Sequence, residues 1–111
     1  CEPNYMGLGP IGASKKALQR AGLTSDKIDI VELNEAFASQ SLACIKDLNI
    51  NDKKVNLDGG ALALGHPLGA TGARITGKAA DLLKRENKKY ALATQCIGLG
   101  MGIATIIESI D

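Results

Sequence analysis

Three side chains in this sequence combine reactive chemistry with a position at or near the end of an apolar run. Asn34 directly follows the run from Ile28 to Leu33, His66 is the sole histidine and lies in a glycine-rich stretch, and Cys96 ends an apolar run. Each alone has an ordinary structural explanation, since an Asn often caps a helix and a Cys is often a small buried apolar residue. Together, a thiol, an amide and an imidazole are groups suited to acid/base and nucleophilic chemistry.

Short apolar runs alternate with helical periodicities along the chain, which predicts an α/β fold. The apolar spacing predicts a helix that begins near Pro10 and ends at Gly22, a helix from its cap Asn34 to Leu48, and a third helix after Gly72. Strand-like runs cover residues 28–33, 55–58, 90–95 and 101–109. The last two are separated only by residues 96–100, which predicts an antiparallel hairpin at the edge of a mainly parallel sheet with flanking helices.

The predicted order of elements places all three reactive side chains at one edge of the sheet. Ligands of open parallel sheets bind beyond the carboxyl ends of the strands. Asn34 follows the first predicted strand, His66 lies in the loop after the second, and Cys96 ends the third. We therefore expect these side chains to meet around one small reacting molecule.

Composition and charge exclude several classes of protein. The 111 residues suit one domain, and the net charge of +1 gives no electrostatic reason for a nucleic-acid or anionic-membrane partner. The three cysteines are odd in number and have no metal-ligand spacing, so we expect no metal site and a reduced, cytoplasmic compartment. No apolar run reaches the roughly 18 residues of a spanning helix, and no leader precedes Cys1, which predicts a soluble protein.

Two glycine-rich stretches differ from the common nucleotide-binding loops. The pattern Gly98-x-Gly100-x-Gly102 leads into a β-type run, so no helix N-terminus follows it to bind a pyrophosphate. The stretch from Gly65 to Gly72 has no Lys-Ser/Thr pair after its glycines and is therefore not a P-loop. Neither stretch predicts a nucleotide cofactor.

Four motifs together resemble those of one enzyme family. The segment Asn34 to Phe37 reads Asn-Glu-Ala-Phe, Gly59 to Gly72 is a long glycine-rich signature with Gly65-His66-Pro67 in register, and Cys96 to Gly100 reads Cys-x-Gly-x-Gly. The stretch Met6 to Pro10 is similar to the entry of the same half. Over essentially all of residues 1–111 the chain resembles the C-terminal domain of the thiolase family, whose fold is a mixed, mainly parallel sheet with flanking helices.

The resemblance implies a role for each of these residues. His66 would be the base that activates a nucleophilic Cys, and Cys96 would exchange a proton with the α-carbon of the second acyl-CoA. Asn34 would hold a water that, with His66, donates hydrogen bonds to the thioester oxygen, and Gly98 would offer a backbone N–H to the oxyanion. The acyl pocket would be lined by Met6, Ala36 and Phe37.

The resemblance also implies an activity and its partners. The first expectation is an acetyl-CoA acetyltransferase, which condenses two acetyl-CoA molecules reversibly to acetoacetyl-CoA and CoA; the alternative is a 3-ketoacyl-CoA thiolase of fatty-acid β-oxidation. The nucleophilic Cys would come from an N-terminal half, so we expect a fragment of a larger two-domain enzyme that is inactive alone. The acyl-CoA is the substrate, no cofactor is implied, and the family's habit suggests a homodimer or homotetramer.

The sequence also leads to an expectation about the order of the strands and leaves two other functions open. The resemblance implies a sheet whose first strand is central and missing from this chain, which would leave the strands 28–33 and 90–95 without a partner between them. A non-catalytic lobe that acts as an interaction module remains open. So does a Cys–His hydrolase that uses Cys96 and His66, with Asn34 to orient the imidazole.

Overall fold

The computed structural model describes residues 1–110, which form one mixed β-sheet with helices on both faces. The helices are α1 (Gly9–Ala21), α2 (Ala38–Asp47), α3 (Ala61–Leu64) and α4 (Leu68–Arg85), and the strands are β1 (Ile30–Leu33), β2 (Tyr90–Ile97) and β3 (Met101–Glu108). Short 3₁₀ segments cover Pro3–Leu8, Ser25–Lys27, Asp52–Lys54 and Gly98–Gly100. The α/β class and the terminal hairpin predicted from sequence are confirmed.

The sheet has the order β1-β2-β3, with β1 parallel to β2 and β2 antiparallel to β3. Ile30 lies opposite Ala91 and Leu33 opposite Thr94, and the Asn34 N–H donates to the Thr94 carbonyl at 3.0 Å. The expectation of a missing central strand between these two runs is therefore wrong, because β1 and β2 satisfy each other's backbone groups directly. Within residues 1–110, β1 and β3 are the two edge strands, and the outer side of β1 forms a single bridge between Val31 and Val55.

Two apolar clusters cover the two faces of the sheet. On one face α4 packs on β1 and β2 through the cluster Ile30, Ile75, Ala79, Leu82, Leu83, Ala91 and Ala93. On the other, α1 and α2 contribute to the cluster Leu18, Ile28, Val31, Leu33, Cys44 and Leu92. All four residues of β1 are buried, as expected for a strand covered on both faces. No helix within residues 1–110 is both long and apolar enough to span a bilayer.

The first helix ends where the sequence predicts, and the second begins later. Gly22 follows α1 with a φ of +67° and closes it, since glycine adopts this left-handed conformation without steric cost. Phe37, not Asn34, takes the N-cap position of α2, and the side chain of Gln40 accepts a hydrogen bond from the Phe37 N–H at 3.3 Å. The prediction that Asn34 caps this helix is therefore wrong, and its side chain is free for another contact.

The predicted strand 55–58 is reduced to a single bridge between Val31 and Val55. Asn56 turns the chain away with a φ of +49°, and its side-chain amide replaces a strand partner by bonding both the N–H and the carbonyl of Leu33, at 2.9 and 2.8 Å. The glycine-rich stretch that follows is also not a simple loop. It contains α3, and α4 begins inside it at Leu68.

Candidate active site

A cavity of about 410 Å³ opens at the carboxyl ends of β1 and β2. It is lined by residues from four separate segments, namely Met6, Ala36, Phe37, His66, Leu68, Gln95, Cys96, Ile97 and Gly98. Asn34 lies directly behind His66, with its Nδ2 atom 3.5 Å from the Nε2 atom of the imidazole. The fold thus brings together all of the site residues that the sequence singles out, while their chemical roles remain predictions.

His66 lies between α3 and α4 and is held from two sides. Gly65 adopts a φ of +91°, which glycine tolerates and which redirects the chain out of α3. The Nδ1 atom of the imidazole lies 2.7 Å from the hydroxyl of Thr71, and its Nε2 atom faces Asn34. The side chain is therefore fixed in orientation although it lies on the surface of the cavity.

Asn34 is almost fully buried, at 1% exposure. The Oδ1 atom of its side chain has no hydrogen-bond partner among the described residues. A buried amide oxygen without a partner costs about 1 to 3 kcal/mol, so such an atom calls for a donor. The Nδ2 atom of the same amide faces the imidazole, and the water that the sequence-based prediction assigns to Asn34 stays a prediction.

Cys96 is the second-last residue of β2 and lies opposite Gly102 of β3. Burial raises the pKa of its thiol above the usual value. At neutral pH this side chain is therefore the protonated thiol, which can deliver a proton but is a weak nucleophile. The same fact argues against a hydrolase in which Cys96 attacks the substrate.

The turn between β2 and β3 places Gly98 at the cavity wall. Leu99 and Gly100 have φ values of +67° and +84°, which give this tight turn its shape. A Cβ atom on Gly100 would lie 2.0 Å from the carbonyl oxygen of Cys1, and the amino group of Cys1 donates to the Gly100 carbonyl at 2.7 Å. The turn is thus packed against the backbone of Cys1, and Gly98 lies exposed at the cavity.

Close backbone contacts hold the segment that carries Met6 against the sheet. A Cβ atom on Gly9 would lie 2.2 Å from the carbonyl oxygen of Met101, and one on Gly102 would lie 2.2 Å from the carbonyl oxygen of Gly9. A Cβ atom on Gly7 would meet the side chain of Gln40 at 2.9 Å. These approaches leave no space for a side chain and fix the distance between Met6 and the β2–β3 turn.

Glu35 ties the loop after β1 to the segment that leads to His66. Its Oε1 atom accepts a hydrogen bond from the Leu62 N–H at 3.2 Å. The carboxylate lies so close to Gly60 that a Cβ atom there would approach it to 2.2 Å. The Glu35 side chain therefore holds together the two loops that carry Asn34 and His66, a role that its place in the Asn34 to Phe37 motif did not predict.

Sequence reasoning missed four residues of the site, namely Leu68, Thr71, Gln95 and Ile97. Leu68 and Ile97 are large apolar residues that are 81% and 38% exposed, and they extend the apolar lining of the cavity. Leu68 was not predicted as a cavity residue, because the third helix was predicted to start after Gly72. Thr71 had a weak signal, since it lies five residues after the sole histidine.

Beneath the site, β1 carries a buried carboxyl group. Glu32 is 1% exposed, its Oε1 atom has no partner among the described residues, and burial raises the pKa of its carboxyl to about 7. The Nε and Nη2 atoms of Arg74 on α4 are buried and also lack a partner within residues 1–110. The charge of Arg74 opposes the upward shift of the Glu32 pKa without cancelling it.

The chain matches a protein-family model and is similar to proteins named 3-ketoacyl-CoA thiolase. The model, described as the C-terminal domain of thiolase, matches residues 1–109. The 3-ketoacyl-CoA thiolase of Vibrio cholerae serotype O1 (strain El Tor Inaba N16961) is 60% identical over 97% of this chain and 29% of its own length. The 3-ketoacyl-CoA thiolase of Photorhabdus laumondii is 58% identical over 100% of this chain and 29% of its own length.

Solved structures give the same result for the fold. The crystal structure of human mitochondrial 3-ketoacyl-CoA thiolase matches 100% of this chain and 28% of its own chain, with a TM-score of 0.98 and 50% identity. The structure of that human protein in complex with CoA matches with a TM-score of 0.96 and 50% identity over 98% of this chain and 28% of its own chain. The chain therefore spans less than a third of the length of these relatives.

Proposed function

The chain belongs to the thiolase family, and from this premise we propose that it supplies the acid/base and oxyanion-binding groups of a 3-ketoacyl-CoA thiolase. Such an enzyme cleaves a 3-ketoacyl-CoA with CoA to give acetyl-CoA and a shortened acyl-CoA. The observation that carries the proposal is the shared cavity of His66 and Cys96, with Asn34 in contact with the imidazole. We further propose that a second, N-terminal half supplies the nucleophilic Cys.

His66 acts first in the proposed reaction. The Nε2 atom of its imidazole takes the proton of the nucleophilic thiol, and the thiolate attacks the C3 carbonyl carbon of the substrate. The negative charge on the C3 oxygen is stabilised by the backbone N–H of Gly98, which lies exposed at the cavity wall. His66 thus activates the thiol and, with Asn34, binds the thioester oxygen. Gly98 stabilises the oxyanion of the tetrahedral intermediate.

Cys96 acts when the carbon–carbon bond breaks. Collapse of the tetrahedral intermediate cleaves the bond between C2 and C3 and leaves the acyl group on the nucleophile. The electron pair of that bond forms the enolate of acetyl-CoA, whose thioester oxygen accepts hydrogen bonds from the imidazolium of His66 and from a water held by Asn34. The Cys96 thiol delivers its proton to the α-carbon, and the raised pKa of this thiol keeps the proton available.

The second half of the reaction regenerates the groups. A CoA thiol gives up its proton to the Cys96 thiolate and attacks the acyl-enzyme carbonyl, and the released nucleophile regains its proton from His66. Gly98 again faces the developing oxyanion, and losing one such donor typically costs ~3 kcal/mol of transition-state stabilisation. In the reverse direction the same groups carry out condensation.

The cleavage of 3-ketoacyl-CoA is preferred to the condensation of two acetyl-CoA molecules, which was the first expectation from sequence. The relatives reported above are named 3-ketoacyl-CoA thiolases. The cavity wall also presents the large apolar side chains of Met6, Phe37, Leu68 and Ile97, which suit an acyl chain longer than acetyl. Both activities use the same groups, so the distinction lies in the preferred acyl length.

A chimera tests the proposal. This chain replaces the matching segment of the Vibrio cholerae 3-ketoacyl-CoA thiolase, which is 60% identical, and thiolysis of short, medium and long 3-ketoacyl-CoA substrates is compared with that of the parent. We expect thiolysis that depends on His66 and Cys96 and extends to substrates longer than acetoacetyl-CoA. A folded chimera that binds CoA but has no thiolysis would support the interaction-module interpretation, and activity confined to acetoacetyl-CoA would favour the acetyltransferase.

A further inference from the structure

We propose that Thr71 is a positioning residue that holds His66 in the tautomer with its proton on Nδ1, which leaves Nε2 free to act as the base. The inference rests on the proposed function only for its catalytic consequence. The tautomer itself is a property of this chain and can be measured without any activity. It follows from three contacts that meet at the imidazole and at the first turn of α4.

The hydroxyl of Thr71 has one hydrogen and two neighbours. Its Oγ1 atom lies 3.1 Å from the carbonyl oxygen of Pro67 and 2.7 Å from the Nδ1 atom of His66. The helical i−4 geometry directs the single hydroxyl hydrogen at the Pro67 carbonyl, which can only accept. The same oxygen must then accept from His66, which requires a hydrogen on Nδ1.

The contact on the other side of the ring gives the same tautomer. The Nε2 atom of His66 faces the Nδ2 atom of Asn34 at 3.5 Å. An amide nitrogen carries only donors, so Nε2 takes the acceptor role there and carries no hydrogen of its own. With the Asn34 amide oriented as in this structure, both contacts of the imidazole agree on a neutral ring with Nδ1 protonated and Nε2 unprotonated.

The local fold keeps Thr71 in this position. Thr71 is fully buried, at 0% exposure, so bulk water does not compete for its hydroxyl. The backbone N–H groups of Ala70 and Thr71 both donate to the Pro67 carbonyl, at 2.8 and 3.0 Å, which anchors the first turn of α4 beside His66. A threonine in a helix commonly donates its hydroxyl hydrogen to the carbonyl four residues earlier. Here this bond to the Pro67 carbonyl orients the Thr71 hydroxyl.

The arrangement has a direct consequence for catalysis. With the opposite tautomer, Nε2 would present a hydrogen to the incoming thiol and could not accept its proton. With Nδ1 protonated, Nε2 accepts the proton, and the Thr71 oxygen accepts the same hydrogen bond before and after the transfer. Wrong tautomers in a serine-protease triad lower kcat by about 10⁴-fold, so loss of this control is expected to cost at least about tenfold here.

The test uses the fact that His66 is the sole histidine of the chain. The chain is labelled with ¹⁵N-histidine, and two-bond ¹H–¹⁵N correlation spectra at a pH at which the ring is neutral identify which nitrogen is protonated. We expect a pyrrole-type Nδ1 and a pyridine-type Nε2. A spectrum with the proton on Nε2 overturns the proposal, whether or not the proposed enzymatic activity is found.

Variants separate the hydroxyl's effect from packing. Thr71→Val removes the hydroxyl and is expected to shift the ring towards the Nε2-protonated form, while Thr71→Ser keeps the hydroxyl and the tautomer. Thr76→Val, five residues further along the same helix, is the matched control and should leave the spectrum unchanged. Thr71→Ala is the second hydroxyl-free variant if Thr71→Val does not fold. An unchanged tautomer in a folded hydroxyl-free variant overturns the proposal.

A kinetic measurement on the assembled enzyme completes the test. Thr71→Val is expected to slow acyl-enzyme formation by at least about tenfold with little change in KM, and Thr71→Ser is expected to restore most of the rate. Equal rates for the Val and Ser variants would overturn the catalytic part of the proposal. If the wild-type assembly has no thiolase activity, the proposed function fails while the tautomer result stands.

Discussion

The Nδ2 atom of Asn34 lies 3.5 Å from the Nε2 atom of His66, although the two residues are 32 positions apart in the chain. Asn34 reaches this position because its backbone N–H extends the pairing of β1 with β2, which buries its side chain at the end of the strand. His66 reaches it because the chain leaves α3 through Gly65 and is held by Thr71. The contact therefore depends on the sheet on one side and on α4 on the other.

Removing the Asn34 amide is expected to impair the chemistry far more than binding. In the assembled enzyme, Asn34→Ala should lower kcat for thiolysis by about a hundredfold, the typical cost of losing one oxyanion donor, with a small change in KM. Asn4→Ala is the control, since Asn4 is exposed and bonds only Glu2. Steady-state kinetics with acetoacetyl-CoA measures both parameters, and equal kcat values for the two variants would contradict the role given to Asn34.

Cys96 should matter for one half-reaction more than the other. Cys96→Ser replaces the thiol by a much weaker acid, so exchange of the α-proton of acetyl-CoA with solvent deuterium should fall strongly while acyl-enzyme formation falls little. The control is Cys1→Ser, because Cys1 is exposed and lies outside the cavity. Equal losses in the two half-reactions would show that Cys96 is not the proton donor.

The raised pKa of the Cys96 thiol also predicts its reactivity. Because burial keeps this group protonated at neutral pH, alkylation by iodoacetamide should be slower at Cys96 than at the exposed Cys1. The rate at Cys96 should rise as the pH approaches the raised pKa. Peptide mapping by mass spectrometry measures both sites in one sample, and faster labelling of Cys96 at neutral pH would contradict a partly buried, protonated thiol.

The sequence is informative about this fold where local pattern and tertiary structure agree. The helix from Pro10 and the hairpin around residues 96–100 were predictable, because Pro at a helix start, Gly22 at its end and two β-type runs around a short turn are local signals. The order of the sheet was not. Which strands are neighbours depends on how the helices cover the faces, and here β1 pairs directly with β2.

The site was predictable in its residues and less so in its supports. Asn34, His66 and Cys96 stand out by type and by position after apolar runs. Thr71 and Glu35 do not, because their roles come from contacts across segments that the sequence alone does not place together. The Asn56 side chain is a similar case, since it replaces a strand partner at Leu33 and so ends a predicted strand.

The close contact between Gly9 and Gly102 predicts a large difference between glycine substitutions. Gly102→Ala would place a Cβ atom 2.2 Å from the carbonyl oxygen of Gly9, so α1 and β3 must separate, at a cost of about 1 to 3 kcal/mol in unfolding free energy. Gly12→Ala and Gly77→Ala are matched controls, because a Cβ atom at either site meets nothing within 4 Å. Urea unfolding measures all three, and equal stability would contradict the backbone contact.

Glu32 predicts how stability depends on pH. Its pKa is raised by burial from 4.5 to about 7, so the folded state binds the proton more tightly than the unfolded state does. The unfolding free energy should therefore fall as the pH rises from about 4.5 to about 7, by on the order of 3 kcal/mol from this group. Well above pH 7 this contribution should change no further, because the Glu32 carboxyl is then ionised in both the folded and the unfolded state.

Replacing the carboxyl by a neutral amide isolates this effect. Glu32→Gln should be more stable than the wild type above pH 7 and should lose most of the decline between pH 4.5 and pH 7, because no buried charge has to form. Glu86→Gln is the control, since Glu86 is exposed and bonds Arg85 at the surface. Urea unfolding at a series of pH values gives the three curves. If the unfolding free energies of the wild type and of Glu32→Gln followed parallel curves between pH 4.5 and pH 7, Glu32 would contribute no decline of its own. That result would show that Arg74 compensates the Glu32 charge in full.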